Sequence, residues 1–120
     1  MERLNIILSL LFVVTSMSGQ SDYYMRQARD YQCHAEYYTK QAQGYDRQVE
    51  YYNRQAQGYL REAEYYSKRE KYDRVNSCQR RARVATDKAE SYKRKADNAR
   101  DKAQAYMRRA EKALKSAKTR

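Results

Sequence analysis

The chain has 120 residues, 26 Lys and Arg against 15 Asp and Glu, a formal net charge of +11, fourteen tyrosines, one histidine, and neither Trp nor Pro. With a mean hydropathy of −1.24 and, after Gly19, no branched aliphatic side chains but Val49, Leu60, Val75, Val84 and Leu114, it excludes an ordinary globular core. Burial must come from Ala and Tyr, so the chain either stays disordered or forms long helices that pack along a seam. Scarce glycine, absent proline and abundant Ala, Arg, Lys, Gln and Glu favour helix.

The N-terminus reads as a leader. Met1-Glu2-Arg3 precedes an apolar run from Leu4 to Val14, broken only by Asn5 and Ser9, and Thr15-Ser16-Met17-Ser18-Gly19 supplies small residues around a cut. This is the layout of a secretory signal peptide, here residues 1–19, with an apolar run too short to span a bilayer. Cleavage after Ser18 or after Gly19 fits equally. The expected mature chain is secreted, with no transmembrane segment.

From Tyr24 onward the sequence divides into blocks of fourteen: YMRQARDYQCHAEY, YTKQAQGYDRQVEY and YNRQAQGYLREAEY, then, from Cys78, CQRRARVATDKAES, YKRKADNARDKAQA and YMRRAEKALKSAKT. All six carry a basic third residue, Ala at the fifth place, Tyr or Ala at the eighth, and Ala or Val at the twelfth. Between them lies a degenerate copy two residues short, Tyr66 to Ser77. Along residues 24–66, Ala28, Ala35, Ala42, Val49, Ala56 and Ala63 form one column, and Tyr24, Tyr31, Tyr38, Tyr45, Tyr52, Tyr59 and Tyr66 the other. Beyond Cys78 the columns are Ala82, Ala89, Ala96, Ala103 and Ala110, and Cys78, Ala85, Tyr92, Ala99, Tyr106 and Ala113. An apolar period of 3.5 residues held this long predicts a coiled-coil-like seam. The fold class is therefore all-α: long amphipathic helices of double-heptad repeats, arranged as a helical hairpin or an extended coiled coil.

The short block bears on that choice. At 100° per residue, fourteen residues return the seam almost to the same side of a helix, whereas twelve leave it roughly 120° away, so one straight rod would present its two seams on nearly opposite faces. Asn76-Ser77 is the best interior break and cap signal. Two helices, about 22–75 and 77–118, folded back on each other, are expected.

Composition divides the chain at the same place. From Ser21 to Ser77 there are ten basic and nine acidic residues, and from Cys78 to Arg120 fifteen and five. Tyrosine divides oppositely, leaving only Tyr92 and Tyr106 in the second part. The organisation read here is a Tyr-rich helical half, residues 20–77, and a basic Ala-rich helical half, 78–120.

The doubled tyrosines are the most informative feature. Tyr24, Tyr38, Tyr52 and Tyr66 belong to the seam, whereas Tyr23, Tyr37, Tyr51 and Tyr65 sit one position back, on a flank that should face solvent. Gly44 and Gly58 share that heptad position, so packing does not demand bulk there. Exposed phenols beside amines suit oxidation to quinones that capture Lys amines or Cys thiols, or radical coupling to dityrosine. Lys93, Lys95 and Lys102 are the foremost candidate acceptors, among further lysines at 40, 68, 71, 88, 112, 115 and 118. Cys33 falls on an outer heptad position and Cys78 in the seam; along one helix they would lie ~68 Å apart, and a hairpin does not join them. In an oxidising compartment this leaves intermolecular disulfides or thiol capture of quinones.

Catalysis has almost no support. His34 is the only histidine, with no ligand cluster at metal-binding spacing around it, and no phosphate loop or nucleophile–base pair occurs. The chain reads as a non-enzyme without cofactor. The runner-up to a crosslinked matrix protein is a secreted cationic helix that binds an anionic partner, whether nucleic acid, glycan, acidic protein or membrane surface, without covalent chemistry.

The reiterated pattern in Tyr37-Tyr38-Thr39-Lys40-Gln41-Ala42-Gln43-Gly44-Tyr45 and Tyr51-Tyr52-Asn53-Arg54-Gln55-Ala56-Gln57-Gly58-Tyr59, behind a leader, resembles the trematode eggshell synthesis proteins. The resemblance covers residues 21–77 well and the basic half less distinctly. It implies a precursor stored in secretory granules, secreted, and tanned by a phenol oxidase into a hardened eggshell, partnered with itself or other matrix proteins. The repeat tyrosines would be the residues modified. The chain departs from the glycine-rich eggshell proteins in having only Gly19, Gly44 and Gly58.

Overall fold

The computed structural model describes residues 19–118, which form two helices and, among the described residues, no strand. The apolar run of the expected leader lies outside them. Helix α1 spans Gly19–Lys68 and helix α2 spans Tyr72–Lys118. Both are far longer than an average globular helix, as a sequence lacking proline and rich in Ala, Gln, Arg and Lys permits.

The break between them lies at residues 69–71, not at Asn76-Ser77 as the sequence led us to expect; Asn76 and Ser77 are inside α2. Glu70 takes the left-handed conformation, with φ at 58°. Its N–H donates to the carbonyl of Ser67 at 3.1 Å, and the N–H of Lys71 donates to the carbonyl of Tyr66 at 3.0 Å. These are the two reversed bonds of a Schellman closure, which satisfies the last carbonyls of a helix and stops it. The position is usually glycine, and a glutamate there leaves no mark in the sequence. Helix α2 restarts at once, the Lys71 carbonyl accepting from the N–H groups of Arg74 and Val75, each at 3.1 Å. Asp73 stands in its first turn, where the helix dipole favours a negative charge. The break still falls within the short block, so each helix keeps its own unbroken seam and the two-residue deficit is absorbed where the chain reverses.

Two compact units can be distinguished, and each draws on both helices. The turn unit comprises residues 42–97, and the terminal unit residues 19–41 with 98–118. In the turn unit, Ala42, Ala56, Ala63, Ala82, Ala85, Ala89 and Ala96 are buried along with Cys78. In the terminal unit, Met25, Ala28, Ala110, Ala113, Leu114 and Ala117 form a cluster, with Tyr24, Tyr31 and Met107 packed on it. There the Ser21 hydroxyl donates to the carbonyl of Ala117 at 3.1 Å. Partner order is antiparallel within each unit: in the terminal unit early α1 meets late α2, as Ser21 meets Ala117, and in the turn unit late α1 meets early α2, as Glu62 meets Cys78. Buried methyls of Ala contribute only about 0.8 kcal/mol each, so stability accumulates from many small, repeated contacts. Val49, at the equivalent of a buried Ala, is only half-buried, and Leu60 and Val84 are exposed.

Candidate functional site: the tyrosine rows

The Tyr-Tyr pairs separate as their heptad positions require. Tyr23, Tyr37, Tyr51 and Tyr65 are each just over half exposed, at 51–56 %. Tyr24, Tyr38, Tyr52 and Tyr66 are half-buried against α2. Within every pair the two rings meet edge to face, with centroids 5.1–5.4 Å apart and planes at 74–80°. That is a favourable aromatic geometry, repeated four times.

The flank phenols are held by a second repeated contact. Four residues after each of the first three stands a glutamine, and its side-chain amide donates to the phenol oxygen: Gln27 to Tyr23 at 3.1 Å, Gln41 to Tyr37 at 3.0 Å and Gln55 to Tyr51 at 2.9 Å. At Tyr65 the residue four places on is Arg69, whose guanidinium lies 3.7 Å from the ring centroid. Such i,i+4 pairs orient a ring on a helix surface without burying it. The glutamine recurs in the repeat and is the signal by which the anchor could have been found.

On the opposite helix, two residues that sequence reasoning left outside the candidate set occupy the middle of the aromatic arrangement. In the terminal unit Tyr106 lies parallel to Tyr38, with centroids 5.8 Å apart and planes within 7°, and also contacts Tyr31 at 6.2 Å and His34 at 4.9 Å. In the turn unit Tyr92 lies parallel to Tyr52, 5.7 Å apart and within 9°, and contacts Tyr45 at 6.1 Å. Tyr92 and Tyr106 open successive repeats. Cys78 opens the repeat before them and stands where a third such ring would be.

Amines are brought to the half-buried rings. The Lys102 ammonium lies 5.3 Å from the Tyr38 ring centroid and that of Lys88 lies 5.4 Å from Tyr52. Lys95 sits 5.0 Å from the ring of its helix neighbour Tyr92, and Lys93 is exposed. Of the anticipated acceptors, Lys102 thus meets one of the anticipated rings, while Lys88 does so without having been singled out.

The two cysteines are free, Cys33 exposed and Cys78 buried. The Cys78 thiol approaches the Glu62 carboxylate at 3.7 Å. Burial, and then the neighbouring Glu62 charge and its hydrogen bond, push the Cys78 thiol pKa up, against smaller opposing contributions from Arg81 and Arg74. Cys78 is therefore the less nucleophilic environment, and Cys33 is the thiol presented to solvent.

Among the described residues no group of three or more His, Cys, Asp or Glu is placed to hold a metal ion, and no helix is long and apolar enough to cross a membrane. A shallow groove of about 300 Å³ lies between Gln55, Tyr59, Arg80, Arg81 and Lys88 in the turn unit. Another, of about 280 Å³, lies between Tyr24, Tyr31, Arg109 and Lys112 in the terminal unit. No known protein family, curated protein or solved structure matches the chain.

Proposed function

We propose that the chain is a secreted structural precursor whose flank tyrosines are oxidised and crosslinked into an extracellular matrix such as an eggshell. The observation that carries this reading is the regular presentation of Tyr23, Tyr37, Tyr51 and Tyr65, more than half exposed at a heptad position that glycine fills at residues 44 and 58. Packing explains the other member of each pair and does not explain these.

The chemistry is simple to balance. A phenol oxidase converts a phenol and O₂ to an ortho-quinone and water. A Lys amine then adds to the quinone ring, forming an N–C bond with no leaving group. A thiol adds likewise, and Cys33 is the exposed one. A flank ring can enter an oxidase pocket, whereas a half-buried ring packed against α2 cannot without local opening. The lysines that would receive flank quinones belong to neighbouring molecules, chiefly in residues 78–118.

The experiment is treatment with a tyrosinase, followed by peptide mass spectrometry and denaturing gels under reductant. The flank residues should gain oxygen before Tyr24, Tyr38, Tyr52 and Tyr66, and covalent multimers should appear. Replacing the four flank tyrosines by Gln should leave helicity intact, Gln being a good helix former, and slow multimer formation several-fold. Absence of catechol and crosslinks, under conditions that modify a free tyrosine peptide, would remove the mechanism. A competing reading, non-covalent capture of a polyanion, draws on the Arg- and Lys-lined grooves. It predicts salt-sensitive binding that is indifferent to the flank substitutions.

A further inference from the structure

The parallel ring pairs carry a second, separate chemistry. Each compact unit contains one pair in which a ring of α1 lies parallel to a ring of α2: Tyr38 with Tyr106 at 5.8 Å and 7°, and Tyr52 with Tyr92 at 5.7 Å and 9°. Centroid separations of this size with planes so nearly parallel describe offset stacking, in which the edges of the two rings overlap rather than their centres. The carbons ortho to each phenol lie at ring edges. Two phenoxyl radicals held in this way are already paired ring against ring, so that coupling of their ortho carbons needs a shift of the rings and not an encounter.

Each pair also has an entrance. Tyr37 is exposed and touches Tyr38 edge to face at 5.1 Å; Tyr51 is exposed and touches Tyr52 at 5.1 Å. An oxidant that meets only the outer ring can take an electron there, and the vacancy can pass inward over one ring contact to the stacked pair. The outer phenol is kept in place for this by the amide of Gln41 or Gln55.

The geometry points to an intramolecular dityrosine staple in each unit, Tyr38–Tyr106 and Tyr52–Tyr92, formed by one-electron oxidation and joining α1 to α2. Each of the two phenols gives up one electron to the oxidant and its hydroxyl proton to water. The ortho carbons bond, and the two displaced ring hydrogens return to the oxygens as aromaticity is restored. With a haem peroxidase as catalyst and hydrogen peroxide as oxidant, two phenols and one peroxide give one biphenol and two waters, and the chain loses two hydrogens per staple. This step needs only the stacked pairs and a one-electron oxidant. It does not rest on quinone tanning, and it hardens the molecule internally where tanning joins molecules together.

Partner choice is decided by concentration. Sites linked in one chain see each other at millimolar or higher effective concentration. At about micromolar protein the internal partner is therefore favoured over a second molecule by roughly a thousandfold. The test is peroxidase with limiting peroxide at that dilution, read by dityrosine fluorescence, intact mass and peptide mapping of the band that remains monomeric on a denaturing gel. The expected result is fluorescence in the monomer band, a mass lower by two and then four hydrogens, and crosslinked peptides pairing residue 38 with 106 and 52 with 92. The double variant Tyr92→Phe and Tyr106→Phe keeps the rings and their packing but removes the coupling partner. It should lose the monomer-band fluorescence while retaining intermolecular coupling at high concentration. Tyr37→Phe with Tyr51→Phe should slow stapling several-fold without changing which residues are joined. Crosslinks scattered over other tyrosine pairs, or dityrosine confined to multimers in dilute solution, would overturn the proposal, as would undiminished monomer fluorescence in the double Phe variant.

Discussion

At the scale of single residues, the two thiols are set apart by their surroundings. Cys78 is buried and faces Glu62, and both conditions raise its pKa. A raised thiol pKa means less thiolate at any pH below it, so alkylation of the folded protein at pH 8 should modify Cys33 first and Cys78 slowly. Replacing Glu62 by Gln removes the negative neighbour, lowers the Cys78 pKa and should speed its alkylation several-fold, measured by mass spectrometry against Cys33 as an internal reference. An unchanged ratio would mean that burial alone controls the thiol. A second residue stands out for a different reason. Gln32 is buried, and its side-chain nitrogen has no hydrogen-bond partner. An unpaired buried amide costs about 1–3 kcal/mol. Its place in the repeat is the one that Leu114 fills on α2, also buried. Gln32→Leu should therefore stabilise the protein by about 1 kcal/mol, visible as a rise in the thermal midpoint; a fall would show that the amide is satisfied in solution.

At the scale of the helix, three positions carry residues that their conformation does not call for. Gly44 and Gly58 lie in the interior of α1 with helical backbone, and a methyl group would meet nothing closer than an Arg47 nitrogen at 3.9 Å at the first and nothing at all at the second. Gly44→Ala and Gly58→Ala should each stabilise by about 0.5–1 kcal/mol, checked by thermal or urea unfolding. Glu70 is the converse, a side chain at positive φ, where relief of the left-handed strain is worth roughly 1 kcal/mol. Glu70→Gly should raise stability, whereas Glu70→Pro should lower it, since proline fixes φ near −65° and cannot donate to Ser67. These positions also mark how far the sequence could be read. The 3.5-residue period identified both helices and their buried columns, because a period survives drift of individual residues. The exposure of Tyr23, Tyr37, Tyr51 and Tyr65 followed from the same register. The turn was misplaced to Asn76-Ser77 because the left-handed position is held by Glu70, which carries no turn signature. With the turn misplaced, the partner of each α1 ring on α2 could not be fixed either, and so Tyr92 and Tyr106, read as seam residues, and Lys88, read as one amine among several, were not matched to the rings they meet.

At the scale of the whole molecule, the compositional halves and the folded units do not coincide. Each unit joins Tyr-rich α1 to basic α2, so phenols and amines are mixed throughout rather than held apart, and neither half is expected to keep its packing if made alone. The repetition that builds both helices has a further effect. Sliding α2 along α1 by fourteen residues would set Ala against Ala and Tyr against Tyr almost as well, so the seam by itself admits several alignments of nearly equal quality. The three-residue reversal at 69–71 admits one, because any slide would have to unwind helix to supply the missing length. A flexible connector removes that restriction cheaply: each doubling of loop length costs only about 0.6 kcal/mol in closure entropy. Replacing residues 69–71 by a long Gly-Ser linker should accordingly leave helix content unchanged while broadening the distances between labels placed on the two helices, measured by pulsed electron spin resonance. The short reversal at residues 69–71, outside every tyrosine row, would then be what gives a self-similar chain a single alignment.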